Sequence, residues 1–258
     1  KKIKSFFYFG KTTFFKKSGS AEDYLEIFEK AKSQKYPSVD RYISKYNYTV
    51  DKDWFDDLAL HTQVVKKKSK INYQHGRVLY SILCDYTSKN LDNNITIFES
   101  GTARGFSSIC MSKALNDCKT KGKIFTVDII PHNTKMYWNN IDDHLIGKVT
   151  RLELLKNWKK ELQNIEFYEM KSSEFFEKNN IKRINFAFLD AVHDSENIKL
   201  EFEYVKNRQL KGDVIIFDDF DDQYITLKDY ILKEVHISYN YKILESEKNR
   251  HYFIAHKK

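Results

Sequence analysis

Three kinds of residue are scarce in this chain: of 258 positions, three are cysteine, two are proline and eight are glycine. The cysteines, Cys84, Cys110 and Cys118, are odd in number and form no Cys-x-x-Cys pair. They support neither a disulfide framework nor a thiolate zinc site, and the expected compartment is the reducing cytoplasm. Two prolines leave no material for a proline-rich linker. Long apolar runs are also missing. The segment KKIKSFFYFGKTTFFKK starts basic and aromatic, but Gly10, Lys11, Thr12 and Thr13 interrupt it and no small-residue cleavage site follows. It reads as neither a signal peptide nor a membrane span. Its GKTT lacks the earlier glycine of a phosphate-binding P-loop, since position 5 is Ser5, and no apolar strand leads into it.

Charge and aromatic residues are plentiful. The composition is 41% hydrophobic and 31% charged, with 17 Tyr and 19 Phe, which fits a soluble globular protein and argues against disorder. The formal charge of +8 is uneven. Residues 1–94 hold 18 Lys/Arg against 11 Asp/Glu, and residues 95–258 hold 26 against 25. No block resembles a basic arm, so a lysine-rich solvated surface explains the excess better than a polyanion partner does. Nucleic acid and membrane are not expected partners, and self-association stays open.

The rhythm of the chain changes near residue 93. Before it, AEDYLEIFEKAKS and INYQHGRVLYSILCDYTSK carry apolar residues at helical spacing, and residues 1–92 read as a helical region. After it, short apolar runs alternate with amphipathic segments. ITIFE (95–99), KIFTV (123–127), IEFYE (165–169), INFAFL (184–189) and DVIIF (213–217) read as strands, with helices near 106–117, 150–162 and 195–208. That alternation predicts βαβ units and a parallel sheet covered on both faces. A helix near 223–236 and the runs YKILE and RHYFIAH predict a terminal antiparallel hairpin.

The first strand runs into FESGTARGFSS. Glu99 and Gly101 arrive at the carboxyl edge of the sheet, where Gly101 permits close backbone approach and Gly105 lets the next helix start tightly. Glycines at 101 and 105, with Ala103 and Phe106 between and after, do not match the G-x-G-x-x-G dinucleotide fingerprint. An ordinary strand-to-helix turn is the plainer alternative. Asp128 follows the second strand, 27 residues beyond Gly101, where an acid accepts hydrogen bonds from ribose hydroxyls; helix capping is its plainer role.

The pattern ExGxxxGxS at 99–107, Asp128, MKSSEFF after the third strand and the closing hairpin together resemble the class I S-adenosylmethionine-dependent methyltransferases, over about residues 90–258. The resemblance implies a doubly wound, Rossmann-like α/β fold, with a mostly parallel seven-stranded sheet in residues 93–258 behind the helical N-terminal region. It assigns cofactor contacts to Glu99, Ser100, Gly101, Thr102, Gly105, Phe106, Ser107, Asp128, Ser172 and Asp190. At the adenine side Lys171 and Ser172 stand where relatives often carry an acid.

FLDAVHDSE and VIIFDDFDD then place Asp190, and Asp218 with Asp219, at the ends of the fourth and fifth strands. Carboxylates converging there repel unless they are protonated or bridged by a cation, for which Mg²⁺ is the economical choice; helix capping is the alternative. The arrangement is similar to the metal-dependent O-methyltransferases of the catechol and sugar types, which implies Asp190, Asp218 and Asp219 as ligands. The family's catalytic lysine position falls on His193 and the sugar-type acid on Val192. His193 is the candidate base because imidazole titrates near neutrality, and Asp190 is assigned to catalysis beside it.

The 36 residues between Asp128 and the third strand exceed a usual crossover. Within them His132, Tyr137, Trp138, Asn139 and Asn140 read either as a wall for a sugar or as packing residues. The expected reaction is methylation of a hydroxyl on a small polar acceptor, a sugar or glycoside. Two rivals are an RNA or protein methyltransferase and a cofactor-binding module without catalysis.

Overall fold

A computed structural model describes residues 16–90, 94–190, 195–218, 220, 225–248 and 250–258. Four helices come first: α1 (Ala21–Lys32), α2 (Pro37–Ile43), α3 (Lys52–Thr62) and α4 (His75–Lys89). The remainder runs β1 (Ile95–Ser100), α5 (Phe106–Asp117), β2 (Gly122–Asp128), α6 (Asp142–Leu145), α7 (Arg151–Leu154), α8 (Lys159–Leu162) and β3 (Ile165–Glu169). It continues with α9 (Ser172–Lys178), β4 (Phe186–Leu189), α10 (Ser195–Lys206), β5 (Val214–Phe217), α11 (Ile225–Ser238), β6 (Tyr239–Glu247) and β7 (Arg250–Lys257).

Local chemistry explains several of these boundaries. Ser20 caps α1 through a reciprocal box: its hydroxyl accepts from the Asp23 amide at 3.3 Å, and the Asp23 carboxylate accepts from the Ser20 amide at 2.9 Å. Tyr24, Phe28 and Ala31, at positions i, i+4 and i+7, are the face that α1 buries. The stretch 150–162 reads as one helix but forms α7, a 3₁₀ turn at Lys156–Trp158 and α8. Leu155, with φ −91° and ψ 11°, breaks the helical run between them.

The seven strands order as β3-β2-β1-β4-β5-β7-β6. β1 to β5 pair in parallel, while β7 pairs antiparallel with both β5 and β6. Strand side chains alternate between two apolar layers. Ile97, Phe186, Phe188, Val214, Ile216 and Ile254 face one core with α4 and α5; Phe98, Ala187, Leu189, Ile215, Phe217 and Phe253 face the other with α9, α10 and α11. Both faces are therefore covered, as the apolar strands require. The N-terminal helices add Val39, Ile43, Phe55 and Leu58 to the first of these cores, so they share their apolar interior with the sheet. Because β2 and β4 flank β1 on opposite sides, chain order reverses beside β1, and a crevice opens at the carboxyl ends of β1 and β4, the usual ligand position in open α/β sheets.

Candidate active site

The β1–α5 loop bends through two glycines in the left-handed region, Gly101 at φ 91° and Gly105 at φ 89°, with Ala103 between them at φ 48°. A side chain at 105 would be strained, and its Cβ would stand 2.7 Å from Leu155 Cδ1. The Ala103 conformation is held from both sides. Its amide donates to Asp128 Oδ2 at 2.6 Å, and its carbonyl accepts from Arg151 Nε at 3.0 Å. Arg151 is fully buried and also donates to the Ile130 carbonyl at 3.2 Å. Arg104, buried as well, donates through Nε to the Trp138 carbonyl at 2.6 Å. Two guanidiniums thus clamp the loop to the long β2–β3 connection, and burial brings Arg104 down to about 10.

Glu99 lies beneath the loop, 0% exposed. Its carboxylate accepts from the hydroxyls of Ser107 and Ser108 and, at 2.5 Å, from Thr126. Thr126 spends its one hydroxyl proton there, so the 2.6 Å contact with Thr102 has the Thr102 hydroxyl as donor. Burial raises the Glu99 carboxyl above its ordinary value, and the three hydroxyls pull against that shift. The acid joins β1, β2 and the first turn of α5.

Asp128 ends β2. Burial raises its carboxyl while Arg151 and nearby backbone amides counteract the rise. Oδ2 accepts from Ala103 and Oδ1 accepts from the Ile130 amide at 2.9 Å. The Ile129 amide also helps to hold the carboxylate, whose residue stays half-exposed at the end of the strand.

Further along the edge, the Asp190 amide donates to the Ser100 carbonyl at 3.0 Å, and the Asp218 amide donates to the Leu189 carbonyl at 3.2 Å, so Asp190 and Asp218 end neighbouring strands. His193 and Asp219 lie outside the described residues. Phe106 is 1% exposed and packs against Phe55, Tyr73 and His75, so its ring is core and only its backbone stands at the loop.

Ser172 donates to Glu201 Oε1 at 2.6 Å, and Ser100 donates to Glu201 Oε2 at 2.7 Å. Glu201 is 2% exposed on α10, and its carboxylate ties the end of β1 to the start of α9. Sequence reasoning overlooked this residue. The available signal was an acid three positions after Ile198 and one before Phe202, on the apolar stripe of an amphipathic helix.

The β2–β3 connection has a different role from a sugar wall. Trp138 is 0% exposed, donates its indole N–H to the Val149 carbonyl at 2.9 Å and packs with Ile130, Met136, Val149 and Leu154. Asn139 accepts from the Tyr24 hydroxyl at 2.9 Å and exchanges hydrogen bonds with the Lys66 backbone, while Asn140 donates to the His61 carbonyl. This segment fastens the N-terminal helices to the glycine loop. Of the aromatic cluster, Tyr137 and His132 alone stay half-exposed.

Residues 98–220 match the family model for a methyltransferase domain. The match covers just under half of the chain and is a likeness to that family. Solved structures carry the likeness over most of the chain. Cofactor-bound Rv0187 from MTB is 14% identical with a TM-score of 0.58, covering 87% of this chain and 98% of that one. The Bacillus cereus O-methyltransferase in complex with SAH is 16% identical with a TM-score of 0.54, covering 86% and 97%. TomG, the Streptomyces achromogenes O-methyltransferase involved in tomaymycin synthesis, in complex with SAM, is 13% identical with a TM-score of 0.55, covering 85% and 96%. Identities this low establish a shared fold. No curated protein matches the chain.

This edge fits a ribose-bearing cofactor better than it fits a metal. For the ribose diol of S-adenosylmethionine, the half-exposed carboxylate of Asp128 is the acceptor required, beside the turn at Gly101. For a divalent ion, Asp218 is unsuited as it stands: its side chain is 2% exposed, and Oδ2 is 2.8 Å from Nη2 of Arg250. Mg²⁺ keeps several water ligands in an octahedral shell, and a guanidinium on the same carboxylate repels it. Among the described residues no group of three or more His, Cys, Asp or Glu is placed to hold a metal ion.

Proposed function

We propose that this methyltransferase moves the methyl group of S-adenosylmethionine to a hydroxyl of a small polar acceptor, a sugar or glycoside. Asp128 carries the reading. Its two oxygens are fixed by the Ala103 and Ile130 amides at the end of β2, and the residue stays half-exposed beside a loop that turns through Gly101 at φ 91°. When bound, the cofactor supplies a methyl group already activated on a sulfonium. The protein's contribution is then mainly position. Gly101, Thr102, Gly105 and the amides of Phe106 and Ser107 border the methionine end, Glu99 and Ser100 hold that loop in shape, and Ser172 borders the adenine side. His193, three residues past Asp190, is assigned to take the acceptor's proton, with Asp190 at the strand end beside it. Asp218, already paired with Arg250, is unsuited to share a metal ion with Asp190 and Asp219. The sugar assignment rests on the resemblance at the ends of β4 and β5.

The test is transfer of isotopically labelled methyl from S-adenosylmethionine to a panel of sugars and glycosides, with total RNA and a protein extract in parallel. Label in a sugar, lost on His193→Ala, is the expected outcome. Label in RNA or protein alone would replace the acceptor class, and binding without turnover on any acceptor would leave a cofactor-binding module.

A further inference from the structure

Three segments distant in sequence meet where β5 ends. Arg250, the first residue of β7, reaches Asp218 through Nη2 at 2.8 Å and the Asn72 carbonyl through Nη1 at 3.3 Å. Asn72 Nδ2 donates to the Ser246 hydroxyl at 3.2 Å, and that hydroxyl donates to the Arg250 carbonyl at 3.2 Å. The Phe220 amide donates to the His251 carbonyl at 3.2 Å, so the chain leaving β5 is laced to the same strand. Asn72 is 2% exposed and Ser246 7% exposed. A surface ion pair between mobile side chains contributes little, but this one is buried at its carboxylate and fixed by hydrogen bonds from the N-terminal region and the terminal hairpin.

We infer that Arg250 is the built-in cation of this edge: its guanidinium holds the Asp218 carboxylate in the place that a divalent ion would otherwise take. The argument is one of occupancy. A carboxylate-bound Mg²⁺ sits about 2.0–2.1 Å from its oxygen, and a guanidinium nitrogen 2.8 Å from Oδ2 places a second positive charge within about one further atomic diameter. A cation on the Asp218 carboxylate would therefore be repelled by the guanidinium already there. Arg250 is a positioning residue here, acting on the acceptor side through Asp218. Removing it takes the guanidinium away from a buried carboxylate, and a metal ion can then take its place.

The test reads metal affinity directly and does not depend on turnover. Mn²⁺ is titrated into the full chain in the presence of S-adenosylhomocysteine, and free Mn²⁺ is followed by electron paramagnetic resonance for wild type, Asp218→Asn, Arg250→Met and the double variant. Wild type should bind no Mn²⁺ below about 1 mM, and Arg250→Met should gain at least about tenfold in affinity, a gain that Asp218→Asn removes. Micromolar binding to wild type that Asp218→Asn abolishes would overturn the inference even if Arg250→Met does not fold, and so would a folded Arg250→Met without any gain. Binding of S-adenosylhomocysteine in the same samples separates a failure of this inference from a failure of the methyltransferase reading on which its meaning rests.

Discussion

At the scale of single residues, the groups beneath the site are set by burial more than by charge. His75 opens α4 with its ring stacked on Phe188 at 5.9 Å and 8° and edge-on to Phe106 at 5.0 Å. Its Nδ1 is buried without a hydrogen-bond partner, and burial lowers the imidazole from 6.5 to about 4 despite the Asp218 charge nearby. The folded pKa lies below the unfolded one, so the unfolded chain binds more protons between them, and stability is lost as pH falls from 6.5 towards 4. The contribution is about 3 kcal/mol. Glu99 and Asp128, raised by burial, act in the opposite direction. The observable is therefore a difference: denaturant unfolding at pH 7 and pH 4.5 should show a smaller acid loss in His75→Asn than in wild type, and equal losses would contradict the account. Neither His75 nor Glu201 was singled out from the sequence, because each sits in a helix whose apolar spacing conceals it. Gly101, Gly105 and Asp128 were legible because their backbone and charge requirements leave few alternative residues.

At the scale of elements, α4 against α5 decides how the N-terminal helices meet the sheet. Gly76 is the contact point. A Cβ there would fall 2.6 and 2.7 Å from Phe106 and 2.8 Å from Cys110 Sγ. Alanine is the better helix former by about 1 kcal/mol, yet the Phe106 ring is enclosed on its other sides and cannot yield. Overpacking, at about 1–3 kcal/mol, wins. Gly76→Ala should lower the urea midpoint without changing the slope, and an increase in the midpoint would show that the interface relaxes freely. The strand rhythm was readable because parallel strands buried on both faces are continuous apolar runs. Their edges were less so: INFAFL forms strand only over Phe186–Leu189, since Ile184 bonds the Arg208 carbonyl and the Asn185 side chain takes the Thr96 amide. Helices α2 and α3 lie inside the region read as helical but were not placed one by one, because seven and eleven residues leave room for only a few turns of buried face.

At the scale of the whole molecule, seven strands in the order 3-2-1-4-5-7-6 bring the glycine loop, Asp128, Asp190 and Asp218 to one edge from segments up to 117 residues apart. Topology was legible from the alternation of segments and the closing hairpin. The β2–β3 connection was not, because Trp138 and Asn139 look the same in sequence whether they face an acceptor or bind helices together. No helix among the described residues is long and apolar enough to cross a membrane. The central claim is that this edge holds S-adenosylmethionine through Asp128. Calorimetric titration of S-adenosylhomocysteine into wild type and Asp128→Ala tests it most directly. The account predicts binding near the micromolar range for wild type and at least about a tenfold loss, or 1.4 kcal/mol, in Asp128→Ala. No binding to wild type, or equal affinity in both proteins, would contradict it.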